Sequence, residues 1–139
     1  SKHCPVEGSD TAKIRIKWLD LNNHPKVTKG NFAGLASDPY HALAQKYCNG
    51  NPASLLTFEI KDGFDAAVKF YDQLGLFKRL VNIGDAKSLA CHPASTTHRQ
   101  MTEAEQAKAG VTAGMIRLCV GIEHIDDIIA DLEQSLAVS

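Results

Sequence analysis

Hydrophobic and polar positions alternate along this chain with two distinct periods, and each period marks a different kind of element. Leu56, Phe58 and Ile60 share one side of the stretch Leu55 to Ile60, with Thr57 and Glu59 on the other. A period of two predicts a strand with one buried face. Met115 to Ile122 shows it most clearly, with Ile116, Leu118, Val120 and Ile122 alternating with Met115, Arg117, Cys119 and Gly121. Shorter strands are predicted over Arg79 to Ile83 and Ser88 to His92, separated by a turn at Gly84-Asp85. The helical period appears in Phe64, Ala67, Val68, Tyr71 and Leu74, predicting a helix from Gly63 to Leu74. It appears again in Ile125, Ile128, Ile129, Leu132 and Leu136, a closing helix with Asp126 and Asp127 in its positive first turn. Ile14, Trp18 and Leu21 predict an earlier helix that stops before His24-Pro25, because a residue preceding proline avoids the helical region. Asp38-Pro39 reads as an N-cap followed by proline at the first helical position, opening a helix to about Tyr47. Thr102-Glu103-Ala104-Glu105 has the form of a capping box, in which threonine and glutamate each satisfy the other's free amide. That short helix is expected to end near Gly110, and residues 1–9, with Pro5, Gly8 and Ser9, read as irregular.

Helices and short turns both separate consecutive strands in this order. The expectation is a single domain of α/β (α+β type) architecture: a small, partly antiparallel sheet with helices packed on one face. A length of 139 residues fits one domain, and 44% hydrophobic residues suffice for a core. A formal net charge of -1 without a basic run argues against a nucleic-acid partner, since phosphate binding needs clustered lysine and arginine. No apolar stretch approaches membrane-spanning length, so no membrane partner is expected. Cys4, Cys48, Cys91 and Cys119 form no compact framework and no C-x-x-C pair, and the start has no apolar core of a secretory signal. Reduced thiols in the cytoplasm are the expectation.

Arg117 is the most informative charged residue. It sits inside the best strand, on the face opposite the apolar one, with the small residues Cys119 and Gly121 beside it. A guanidinium with such room matches a planar carboxylate bidentately. An arginine on a solvated sheet face has the same spacing. Asn82 to Ser88 is a turn rich in hydrogen-bonding groups, able either to meet a ligand or to satisfy itself. His92-Pro93-Ala94-Ser95-Thr96-Thr97-His98 is a polar loop whose histidine spacing suits no common zinc pattern, so no metal is expected. Ser95 lacks a nucleophile elbow. The chain has no G-x-G-x-x-G and no Walker A loop, and no lysine stands out in an apolar pocket; Lys29 reads as a solvated loop residue.

The block from Asn82 through Asp85, Ser88 and His92 to His98 resembles the C-terminal segment of the Cys/Met-metabolism enzymes that depend on pyridoxal phosphate (PLP). Met115 to Glu133, His24 to Val27 and Leu56 to Ile60 resemble the same family, so the likeness runs from about residue 14 to the end. Within it the likeness is to the O-acetylhomoserine sulfhydrylase branch, through Asn82 after Val81 and through Thr102 to Gln106. The resemblance implies the C-terminal domain of a fold-type-I PLP enzyme, whose partner is a large domain carrying the cofactor on a lysine. It implies that Arg117 grips the substrate α-carboxylate, that Asn82 contacts that carboxylate or its surroundings, and that Thr97 and Ser88 support the arginine and the loop. The implied reaction is γ-replacement on O-acetyl-L-homoserine: acetate leaves, sulfide adds and homocysteine forms, with PLP as the electron sink. The complete enzyme is implied to be a homotetramer. This chain carries no catalytic lysine for PLP by that reading, and is expected to be inactive alone. Ser1 to Thr11 depart from the family's connecting helix. The alternatives are the same domain of a cystathionine γ-synthase, a γ-lyase or a methionine γ-lyase, or a non-catalytic interaction module.

Overall fold

A computed structural model of the chain describes residues 23–48 and 54–139. The helix expected around Ile14, Trp18 and Leu21, and the irregular start, lie outside the described residues. Five strands form one sheet: β1 (Val27–Asn31), β2 (Leu55–Ile60), β3 (Lys78–Arg79), β4 (Leu89–Cys91) and β5 (Met115–Cys119), in the order β1-β2-β5-β4-β3. Pairing is antiparallel except between β3 and β4. The helices are α1 (His41–Cys48), α2 (Gly63–Gln73), α3 (Glu103–Lys108) and α4 (Ile125–Val138), with a single 3-10 turn at Pro93–Ser95.

The two strands with the clearest alternation lie side by side at the centre, β2 against β5. Leu56, Phe58 and Ile60 of β2 and Ile116 and Leu118 of β5 are buried and join the core. Ala67 and Phe70 of α2, and Ile128 and Leu136 of α4, complete the same cluster, with Phe70 packed edge-on against Phe58 at 5.5 Å. A mixed sheet backed by α2 and α4 is therefore the architecture, as the α/β expectation has it.

Four local expectations need correction. On the expected face of α2, Ala67 and Leu74 are buried and Tyr71 packs against the core, but Ala66 and Phe70 join them from beside it and Phe64 does not. Phe64 is exposed, and its ring and that of Tyr71 lie 5.1 and 6.4 Å from the ring of the buried His92, just past the end of β4. The strand expected over Arg79 to Ile83 keeps only Lys78–Arg79. Its ladder stops where the Leu80 amide donates to Ala90 O, and Leu80, Val81 and Ile83 stay exposed. The strand expected to reach Ile122 ends at Cys119, and Ile122 is 85% exposed, because the chain turns there to bond the 86–88 segment instead. Lys29 lies in edge strand β1 rather than in a loop, and is exposed.

The caps follow the sequence more closely. Thr102 Oγ1 accepts from the Glu105 amide at 3.4 Å, and the Glu105 carboxylate accepts from the Thr102 amide at 2.8 Å, forming the reciprocal box. The Thr102 amide, followed by its hydroxyl, holds the Glu105 carboxyl below its ordinary value. Asp38 Oδ1 accepts from the Tyr40 amide at 2.9 Å and Oδ2 from Phe32 at 3.1 Å, although regular helix starts only at His41. At the far end, the Lys26 ammonium donates to the carbonyls of Leu136, Ala137 and Ser139, where the helix dipole favours a cation.

Candidate substrate-carboxylate site

The face of the sheet turned away from α2 and α4 carries Arg117. Its cross-strand neighbours are Thr57 on β2 and Cys91 on β4. Directly opposed side chains in an antiparallel pair lie roughly 5 Å apart at Cβ, so the short Thr57 and the buried Cys91 flank the longer arginine. Arg117 is half-buried, and among the described residues its guanidinium makes no hydrogen bond and no ion pair. Five N–H donors in a fixed fork, half withdrawn from water and without a carboxylate partner, suit a planar anion.

The other expected site residues stand as follows. Asn82 is exposed, and its Oδ1 accepts from the Ile83 amide at 2.9 Å, which leaves its amide hydrogens free to point outward. Gly84 takes a left-handed φ of 79°, and Asp85 Oδ1 accepts from the Lys87 amide at 3.1 Å, so the turn satisfies part of itself. Thr97 is exposed, with its hydroxyl 2.8 Å from His98 Nδ1. Ser88 is fully buried and bonds Glu123 and Gly121. Hydrogen bonds therefore link none of Asn82, Thr97 or Ser88 to Arg117 among the described residues, while strand register places Thr57 and Cys91 beside it.

The sequence marks the His92–His98 loop as polar but not the bonds that tie it down, and it does not single out Tyr71 or Glu123 as site residues. His92 is fully buried. Its Nε2 lies 2.8 Å from Ala113 O and its Nδ1 lies 2.8 Å from Ser95 Oγ. A carbonyl can only accept, so the geometry assigns the hydrogen to Nε2 and leaves Nδ1 to accept from the serine. Thr96 Oγ1 donates to His92 O at 2.7 Å and approaches Cys91 Sγ at 3.3 Å, so the loop is bonded to the strand beside Arg117. Burial, above all, raises the Tyr71 phenol from its ordinary value beside this histidine. Glu123 accepts from the Ser88 amide at 2.7 Å and from its hydroxyl at 2.8 Å. Burial pushes the Glu123 carboxyl up, but the Ser88 amide and hydroxyl outweigh it and the net value falls below the ordinary one.

The comparisons with known proteins agree with one another. The profile of the family described as Cys/Met metabolism PLP-dependent enzyme matches residues 8–137. O-acetyl-L-homoserine sulfhydrylase of Corynebacterium glutamicum is 50% identical across 95% of this chain, which corresponds to 32% of that protein. L-methionine gamma-lyase of Pseudomonas putida is 44% identical across 99% of the chain and 33% of its own length. A Campylobacter jejuni structure assigned as an O-acetylhomoserine (thiol)-lyase, solved with a pyridoxyl-lysine phosphate, superposes with a TM-score of 0.80. It is 44% identical, over 93% of this chain and 30% of that one. The chain thus spans about a third of the length of these relatives. The match of profile, sequence and fold over nearly all its residues shows that the chain belongs to the Cys/Met-metabolism family of PLP-dependent enzymes.

Proposed function

We propose that this chain forms the substrate-carboxylate side of an O-acetylhomoserine sulfhydrylase, which replaces the acetate of O-acetyl-L-homoserine with sulfide to give homocysteine. The observation that carries the reading is the half-buried Arg117 fork, without a partner among the described residues, in a chain whose relatives include O-acetylhomoserine sulfhydrylases. Arg117 binds and orients the α-carboxylate, and the exposed Asn82 amide meets the same end of the substrate. Thr97 and Ser88 act by holding the loops around it rather than by touching it.

PLP supplies an electron sink for carbanion chemistry when it is bound. The described residues do not fit it. Every described lysine is exposed except Lys26, and Lys26 is engaged with the carbonyls at the end of α4. A lysine that forms an imine with the cofactor needs a desolvated setting, and none of these has one. The cofactor site therefore belongs, on this reading, to the part of the relatives that this chain does not match. That part is its large-domain partner, and the complete enzyme acts in the cytoplasm.

Methionine γ-lyase and cystathionine γ-synthase are the competing reactions, because both have relatives that cover nearly the whole chain. Substrate profiling of the complete enzyme separates them. Homocysteine formation from O-acetyl-L-homoserine and sulfide, faster than cleavage of methionine or cystathionine, is the expected outcome. Preferential cleavage of methionine or cystathionine would overturn the assignment while leaving the role of Arg117 intact.

A further inference from the structure

The segment Lys78 to Lys87 is exposed at every residue, yet both of its ends are tied to the region of α4 by carboxylates. At the near end, Asp131 of α4 accepts from the amides of Gly75, Leu76 and Phe77 at 2.9, 2.9 and 3.2 Å. At the far end, the three consecutive residues Gly121, Ile122 and Glu123, just beyond β5, bond two residues of the segment's base, Ala86 and Ser88. The Gly121 amide donates to Ser88 Oγ at 2.9 Å, and the Ile122 amide donates to Ala86 O at 3.0 Å. Glu123 takes both the amide and the hydroxyl of Ser88. The Ser88 hydroxyl thus donates to one group and accepts from another while fully buried, so neither its hydrogen nor its oxygen is left unpaired. The contact is close: a Cβ on Gly121 would run into Ala86 O and come within 2.6 Å of the Lys87 carbonyl carbon.

These contacts join two pieces of chain that the proposed site needs together. Gly121 lies four residues beyond Arg117, at the exit of the strand that carries it. Ser88 closes the arm that carries Asn82. The ladder of β4 against β5, with Leu89 opposite Cys119, sets the base of the arm, and the contacts of Ala86 and Ser88 with Gly121, Ile122 and Glu123 extend that tie beyond the strand ends.

We propose that Glu123 is a positioning residue: by clasping Ser88 it holds the exposed 80–87 arm in fixed register with the strand that carries Arg117, so that arm and guanidinium meet the amino-acid substrate together. The proposal rests on the reading of Arg117 as the carboxylate clamp. Glu123 touches neither substrate nor cofactor and acts only through Ser88. A glutamine at 123 keeps the shape, but it has one acceptor where the carboxylate has two, and its amide group confronts a donor of Ser88.

The test uses the complete enzyme, with Glu123→Gln, Ser88→Ala, the double variant and Arg117→Lys compared for KM, kcat, cofactor absorbance and Tm. Glu123→Gln is expected to raise KM for the amino-acid substrate about tenfold with kcat within about twofold, the pattern of a misplaced binding group. Ser88→Ala is expected to do the same, and the double variant to be no worse than either single one, because the two act as one unit. A KM within twofold of wild type for Glu123→Gln, with Arg117→Lys clearly raised, would overturn the clasp and leave the carboxylate site standing. Unchanged KM in both would remove the clasp and the site reading together. A lower Tm and lower kcat at unchanged KM would also overturn the proposal, since it marks a structural tie alone. Should Glu123→Gln not accumulate as folded protein, Ser88→Ala is judged by the same criteria.

Discussion

The two faces of β5 are built to opposite rules. On one face, Ile116 and Leu118 are wholly buried against a core that includes Phe58, Phe70 and Leu136. On the other, one residue along, Arg117 stands half-exposed between Thr57 and Cys91 without a partner among the described residues. The apolar face is packed within the chain, whereas the other face carries the guanidinium proposed to meet a substrate carboxylate. The difference teaches that the same strand can anchor the fold and aim a binding group. It can do both because its side chains alternate while its backbone is fixed by neighbours on both sides.

The comparison breaks most visibly through the apolar face. Phe70→Ala empties a fully buried ring site against Phe58 and is expected to cost about 3–5 kcal/mol, read as a fall in the urea midpoint. Activity in the complete enzyme should fall with folded fraction and not through KM. A smaller loss is expected at Asp131→Asn. That substitution replaces one of the two accepting oxygens with an amide donor facing the backbone N–H of Gly75 or those of Leu76 and Phe77, and should cost about 1–3 kcal/mol by the same measurement. It would sharpen the comparison by showing that the arm's near end is fixed by stability rather than by ligand.

The smallest effect concerns pH at Glu123. Its folded-state pKa is depressed, so its contribution is fully present above the ordinary glutamate value, 4.5, and is lost as pH falls through the lower folded value. Asp85, the charged neighbour on the arm, works in the opposite direction. Protection of the Ser88 amide, taken relative to the intrinsic exchange rate at each pH, should therefore fall below that range in wild type, and this pH dependence should flatten in Glu123→Gln.

What the sequence made legible divides along the same line. Strict alternation placed Leu56, Phe58, Ile60, Ile116 and Leu118 in the core, because a period of two admits only one buried face. The capping box at Thr102 and Glu105 was equally legible, since its partners lie three residues apart. Edge strand β1 was missed: Val27 is its one buried residue and Pro25 lies just before it, so the signal is weak and only pairing with β2 makes it a strand. The face of α2 was only partly legible: Ala67 and Leu74 are in the core as the period has it, but Phe64 is exposed beside the ring of His92, a contact no helical period reveals. At the candidate site, strand position singled out Arg117. Glu123 and Asp131 went unnoticed because their partners lie 35 and more than 50 residues away in sequence. The closeness of Gly121 to Ala86 is likewise a product of tertiary packing, with only a glycine at the end of an apolar strand to hint at it.

The central claim is that Arg117 serves the ligand and not the fold. The most direct measurement is Arg117→Ala in the complete enzyme, with kcat/KM for O-acetyl-L-homoserine and Tm determined on the same preparation. Loss of a charge-assisted fork is expected to lower kcat/KM about a hundredfold, with Tm unchanged because no partner among the described residues is orphaned. An unaltered kcat/KM, or a fall in Tm that accounts for the lost activity, would contradict it.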